Sequence, residues 1–109
     1  MSEKEDRFEV WLDEGAIIID FNNIASILSG YSRNEVIGKN WFELFIEDDN
    51  ILEVLTIFNN LFNKNNLSWT YTNSIICKNG TRKIFSWENN IIIDKKAKHK
   101  LIHSLGKEI

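Results

Sequence analysis

Residues 69–93 read WTYTNSIICKNGTRKIFSWENNIII, and this stretch decides the fold class. Two runs rich in Trp, Tyr, Thr, Ile and Phe flank Lys78-Asn79-Gly80-Thr81. Such runs favour strands. Asn-Gly between them is the strongest short hairpin signal, because both central residues of a two-residue turn need positive φ. Strands are expected over 69–77 and 82–93. Centring the turn on Asn79-Gly80 pairs Ile75 with Ile84, Ser74 with Phe85 and Thr72 with Trp87. Apolar groups then fall on both faces, as in a sheet covered partly on each side. Asp94 to Lys98 reads as a charged turn. His99 to Leu105 reads as a last strand, with Gly106 ending the ordered pattern.

Upstream, the periodicity changes. Phe8-Glu9-Val10-Trp11-Leu12 alternates roughly with period two, as a strand does. Asp13-Glu14-Gly15 is a turn, and Ala16 to Phe21 is a continuous β-branched run expected to be buried on both faces. Asn22 and Asn23 can cap a short helix over Ile24 to Ser29, closed by Gly30. Ser32-Arg33-Asn34-Glu35 matches the capping box, which satisfies two orphan helix donors reciprocally. Asn40 to Phe45 reads as another short turn. Asp49 to Asn63 is the best helix: Ile51, Leu55, Phe58 and Phe62 fall 4, 3 and 4 apart, on one face of a 3.6-residue period. The order is two strands, three or four helices, then three strands. A helical block between strand blocks predicts an α+β domain, with helices on one face of an antiparallel sheet of about five strands.

Composition is consistent with this. The chain has 109 residues, 43% of them hydrophobic, which suits one domain. Cys77 is the only cysteine, so a disulfide scaffold is excluded. A net charge of −3 carries no generic nucleic-acid footprint. The longest apolar run falls far short of a bilayer span, and the acidic start at residues 1–6 is unlike a secretory signal. No nucleic-acid partner, no membrane insertion and a cytoplasmic location are expected. The 14 Asn and the absence of Pro are read as compositional drift.

This order and several local strings resemble the PAS domain, a sensory module of bacterial signalling proteins. Asn22 followed by Gly30-Tyr31-Ser32 looks like the family's N-x8-GYS segment. Glu35-Val36-Ile37-Gly38-Lys39-Asn40-Trp41-Phe42 is similar to its E-L-I-G-K-N-W-F stretch. Trp69, Tyr71, Cys77-Lys78-Asn79-Gly80, Ile84 and Trp87 resemble its hairpin. The resemblance implies a PAS-like domain over 8–109, after a flanking segment 1–7. It implies a five-stranded antiparallel sheet with short helices and one longer helix on one face, enclosing a pocket. It also implies a non-enzymatic signal-relay module of a histidine kinase, diguanylate cyclase or regulator. Such a module binds a small ligand or dimerises, with an effector domain in cis; at this length the chain looks like an excised module. Glu108 stands where the family's terminal D-I-T motif has Asp.

The residues that the resemblance places on pocket-lining elements are Trp41, Phe45, Phe58, Tyr71, Asn73 and Trp87. Aromatic walls with a few polar groups suit small-molecule sites, although a core of this size needs the same residues. Asn73 stands out, because burial mid-strand demands a hydrogen-bond partner. No covalent flavin adduct is expected, since Trp41 follows Asn40 where light-sensing relatives carry Cys. No haem ligand is expected, since 49–63 contains no His. A non-covalent flavin or a small metabolite stays open. His99 and His103 share a strand face about 13 Å apart, which reads as exposed histidines rather than a metal site. Two alternatives remain. One is a ligand-free interaction or dimerisation domain; for the sensory module itself a homodimer is expected through an uncovered sheet face with Phe8, Val10 and Trp87 or its neighbours. The other is a small isomerase-like enzyme with Asp20 as a buried base, against Asp20 as a helix-start cap.

Overall fold

The structure, a computed structural model, describes residues 7–63, 68–94, 96 and 99–109. Five strands and four helices follow the expected order: β1 (Phe8–Leu12), β2 (Ile18–Phe21), α1 (Asn23–Ser29), α2 (Arg33–Val36), α3 (Trp41–Phe45), α4 (Asp48–Asn63), β3 (Ser68–Ile76), β4 (Arg82–Asp94) and β5 (His99–Glu108). The strands form one antiparallel sheet in the order β2-β1-β5-β4-β3. The expected α+β architecture is therefore what forms. The charged turn read over 94–98 lies mostly outside the described residues, as does the side chain of Phe62.

Local chemistry sets the helix starts. Asn22 caps α1: its Oδ1 accepts from Ala25 N at 2.8 Å and also from Glu9 N at 3.1 Å, while its Nδ2 donates to Arg7 O. One side chain thus starts a helix and fastens it to β1. Ser32 and Glu35 form the capping box of α2, and Asn40 accepts from Phe42 N and Glu43 N at the start of α3. Ser29 O, at the end of α1, accepts from Lys78 N at 2.8 Å, tying the helical segment to the β3–β4 hairpin.

Three expectations need correction. The hairpin register is Ile75↔Lys83, Ser74↔Ile84, Asn73↔Phe85 and Tyr71↔Trp87, one residue from the expected pairing. Cys77 N donates to Thr81 O, so the loop holds three residues, and of Asn79 and Gly80 only Gly80 has positive φ, +87°. Asn79 Oδ1 instead accepts from Thr81 N and Oγ1. A three-residue loop with glycine in the left-handed position is the next hairpin solution after the two-residue turn. A one-residue shift exchanges sheet faces, so Tyr71 and Asn73 share the face of Trp87 and Phe85.

Next, β2 is an edge strand rather than a doubly buried one: Ile19 and Asp20 are exposed, and Ala16 and Ile17 precede it. Finally, β5 runs through Gly106 to Glu108 instead of ending at the glycine.

The inward sheet face can be read as rungs across the ladder. Glu108, Phe85 and Asn73 are aligned in one rung; Phe8, Gly106, Trp87 and Tyr71 form the next. Then come Val10, Ser104, Asn89 and Trp69, followed by Leu12, Ile102 and Ile91. The core lies between these rungs and the helices. Its aromatic centre is Phe8, whose ring makes edge contacts with Phe21, Trp41, Phe45, Phe85 and Trp87 at centroid distances of 5.2–6.3 Å.

Candidate ligand cavity

A partly enclosed cavity of about 70 Å³ lies beside this aromatic centre, between the sheet and α3 and α4. Its floor is Val10 and Leu12 from β1, Ile102 and Ser104 from β5, and Trp87 and Asn89 from β4. Trp41 and Phe42 of α3, and Val54, Ile57 and Phe58 of α4, form its roof, and Trp69 of β3 stands at its side. The spacing of α4 explains its share: positions 54, 57 and 58 fall on one helical face.

Only two of these walls are polar side chains, Asn89 and Ser104. They are directly paired across β4 and β5, and Ser104 Oγ donates to Asn89 Oδ1 at 2.6 Å. That bond orients the amide. Among the described residues the Asn89 Nδ2 has no hydrogen-bond acceptor, and no fully buried side-chain N or O lacks a partner. As a residue of the cavity wall, Asn89 keeps its Nδ2 as a donor that the bond to Ser104 does not use. Among the described residues no charged side chain lines the cavity.

The six residues singled out from sequence divide. Trp41, Phe58 and Trp87 line the cavity. Phe45 is fully buried in the aromatic centre, 4.5 Å from Trp41 and 6.3 Å from Phe8 between ring centroids, and fills space rather than bounding it. Tyr71 is half-buried at the sheet edge; its hydroxyl donates to Glu53 Oε1 at 3.3 Å, and burial, then the Glu53 charge, raise its pKa. Asn73 does not reach the cavity. Its Oδ1 accepts from Trp87 Nε1 at 2.8 Å, which answers the demand of a half-buried mid-strand amide.

Sequence reasoning missed Asn89 and Ser104. The signal was present in strand alternation, since Asn89 lies two residues beyond Trp87 and Ser104 two before Gly106. Reading it required the correct register.

The outer sheet face also differs from expectation. Phe8, Val10 and Trp87 point to the helices and cannot form a docking face. Glu9, Trp11, Ile92, Leu101, His103 and Leu105 alternate with the inward rungs and face outward. His103, read as exposed, is only 7% exposed. Its ring lies 4.2 Å from that of Trp11, and its Nε2 is 2.6 Å from Glu9 Oε2. His99 is exposed.

Asp20 is neither a buried base nor a helix cap. It is exposed, pairs with Arg33 Nε at 2.9 Å and accepts from Phe21 N. Those two donors, Arg33 first, hold its pKa below the usual carboxylate range.

A PAS domain family model matches residues 8–100. The chain belongs to the PAS domain family. Solved structures similar to it include the Cronobacter turicensis RpfR quorum-sensing receptor PAS domain in complex with BDSF. That chain is 26% identical, with a TM-score of 0.77, covering 100% of this chain and 99% of that one. The same receptor domain in complex with C12:0 matches at 22% identity and a TM-score of 0.82 over 100% and 99% of the two chains. A PAS domain from Colwellia psychrerythraea matches at 19% identity and 0.83 over 94% and 86%. No curated protein matches the chain. A PAS domain is a sensory module rather than a catalytic one, commonly part of a larger protein. Among the described residues no helix is long and apolar enough to cross a membrane.

Proposed function

We propose that this PAS domain is a cytoplasmic sensor that binds a small, predominantly apolar molecule with one neutral hydrogen-bonding end. The observation that carries this reading is the Asn89–Ser104 pair, set among aliphatic and aromatic side chains in the described cavity wall. A few placed polar groups in an apolar pocket fix a ligand's orientation. With no cation among the described wall residues, a buried carboxylate would be uncompensated and costly. A hydroxyl, ester carbonyl or protonated acid accepts from Asn89 Nδ2 without that cost. The complexes of the Cronobacter receptor domain with BDSF and C12:0 support ligand binding by a domain of this fold.

In this reading the occupied cavity alters how α4 sits on the sheet, and an effector domain in cis, such as a histidine kinase, diguanylate cyclase or regulator, reads the change. The test is calorimetric titration with 1-hexanol and hexanoate at neutral pH, in wild type and Asn89→Leu. Hexanol binding wild type at least tenfold more tightly than hexanoate, with that preference lost in Asn89→Leu, supports the reading. Equal binding of both, or none, contradicts it.

A second reading, homodimerisation through the sheet, is favoured by Trp11 and Ile92 on the outer face. Exposed apolar patches mark interaction surfaces. Sedimentation should show a dimer that Trp11→Glu converts to monomer; a wild-type monomer at high concentration contradicts it.

A further inference from the structure

The rung that borders the cavity on its aromatic side is Phe8, Gly106, Trp87 and Tyr71. Its geometry is unusual. A Cβ at position 106 would lie 2.6, 2.8 and 2.9 Å from three carbons of the Trp87 six-membered ring. The indole therefore lies directly on the β5 backbone, which only glycine permits. At its opposite edge, Nε1 donates to Asn73 on β3 at 2.8 Å. The ring spans the floor from β5 to β3, held at both ends and leaning towards the rung of Phe85 and Asn73, away from that of Asn89 and Ser104. Trp87 and Trp41 each belong to both the cavity wall and the contacts of Phe8, and Trp87 is the one of the two that rises from the sheet.

We propose that Trp87 is the length stop of the cavity, and that Gly106 and Asn73 are positioning residues that hold it out of the ligand's path. This rests on the pocket reading above. A ligand anchored at Asn89 and Ser104 extends until it meets the indole face. Two opposite changes follow. Shrinking the ring opens the aromatic side to a longer chain. Adding a methyl at 106, or deleting the Asn73 acceptor, releases or lifts the ring towards the anchor and shortens the chain that fits.

The experiment measures the dissociation constants of 1-butanol, 1-hexanol and 1-octanol for wild type, Trp87→Phe, Gly106→Ala and Asn73→Leu, with thermal melts to verify folding. A structural role alone would weaken all three alcohols in proportion. A length stop changes their ratio. In Trp87→Phe, octanol should gain about tenfold relative to hexanol, roughly the worth of two newly buried methylenes. In Gly106→Ala and Asn73→Leu, hexanol should lose about tenfold relative to butanol. Wild-type binding with unchanged ratios in the folded variants overturns the length stop and leaves the pocket reading standing. Absence of binding in wild type and Trp87→Phe alike overturns both.

Discussion

The two ends of the layer between sheet and helices share strands and burial but differ in density. At one end Phe8 meets Phe21, Phe45 and Phe85 edge to face, Phe21 and Phe45 stack, and no room is left. At the other, the inward positions of the same strands carry Val10, Leu12, Ser104, Ile102 and Asn89, too small to meet α4, and a cavity remains. A sheet rung is a unit of size as well as of hydrogen bonding. Two residues along a strand, the space above the sheet passes from filled to open. Stability is therefore expected to concentrate at the aromatic end, and ligand response at the other.

The largest test of this contrast is Phe8→Ala. A fully buried ring at the centre of five aromatic contacts should cost about 3–5 kcal/mol on truncation, read by urea denaturation. A loss below about 1 kcal/mol would mean that the aromatic end is not the stabilising one. Ser104→Ala should cost only about 1 kcal/mol, since Asn89 Oδ1 can be hydrated in the cavity, yet it should weaken hexanol binding severalfold. Val54→Leu at the cavity roof should be nearly neutral or slightly stabilising, within about 1 kcal/mol, because there is space to fill, while it competes with the ligand. A strongly destabilising Val54→Leu would show the cavity end to be as tightly packed as the other.

The smallest expected effect is at the rim. Lys78 first, and then the backbone of Ser32, lower the Glu35 pKa to about 2. A lowered carboxylate pKa contributes stability that is present above the ordinary value near 4.5 and lost as pH falls through about 2. This pair joins α2 to the hairpin loop, so acid should loosen that junction while leaving the cavity alone. Thermal melts of wild type and Glu35→Gln from pH 6 to pH 2 should converge as pH falls. A constant difference over that range would assign the effect to something other than this ionisation.

Much of this was legible in the chain. Asn22, the Ser32–Glu35 box and Asn40 announce their helices through side-chain capping, a local event that a sequence displays directly. The β-rich final third and its hairpin are equally local. What could not be read depends on pairing across the sheet. Asn79-Gly80 serves a two-residue or a three-residue loop, and the choice moves Asn73 and Tyr71 from one face to the other. Gly106 looks like a terminator until it is seen to lie under Trp87. Asn89 and Ser104 are unremarkable strand residues until the ladder sets them side by side. His103 is polar by type but buried by the stacked Trp11 ring. Trp41, Phe58 and Trp87 line the cavity, as do Phe42 and Trp69, which the resemblance did not single out. Phe45 and Asn73 lie off the cavity: one fills the aromatic centre, and the other accepts from the Trp87 indole.

The most direct measurement is a two-dimensional ¹H–¹⁵N NMR titration with 1-hexanol. Saturating shifts should appear in the Asn89 side-chain amide, the Ser104 amide and the Trp41, Trp69 and Trp87 indole signals, with the Trp11 indole on the outer face unmoved. Unchanged cavity signals, or shifts confined to Trp11 and its sheet neighbours, would contradict a ligand site between the sheet and α4.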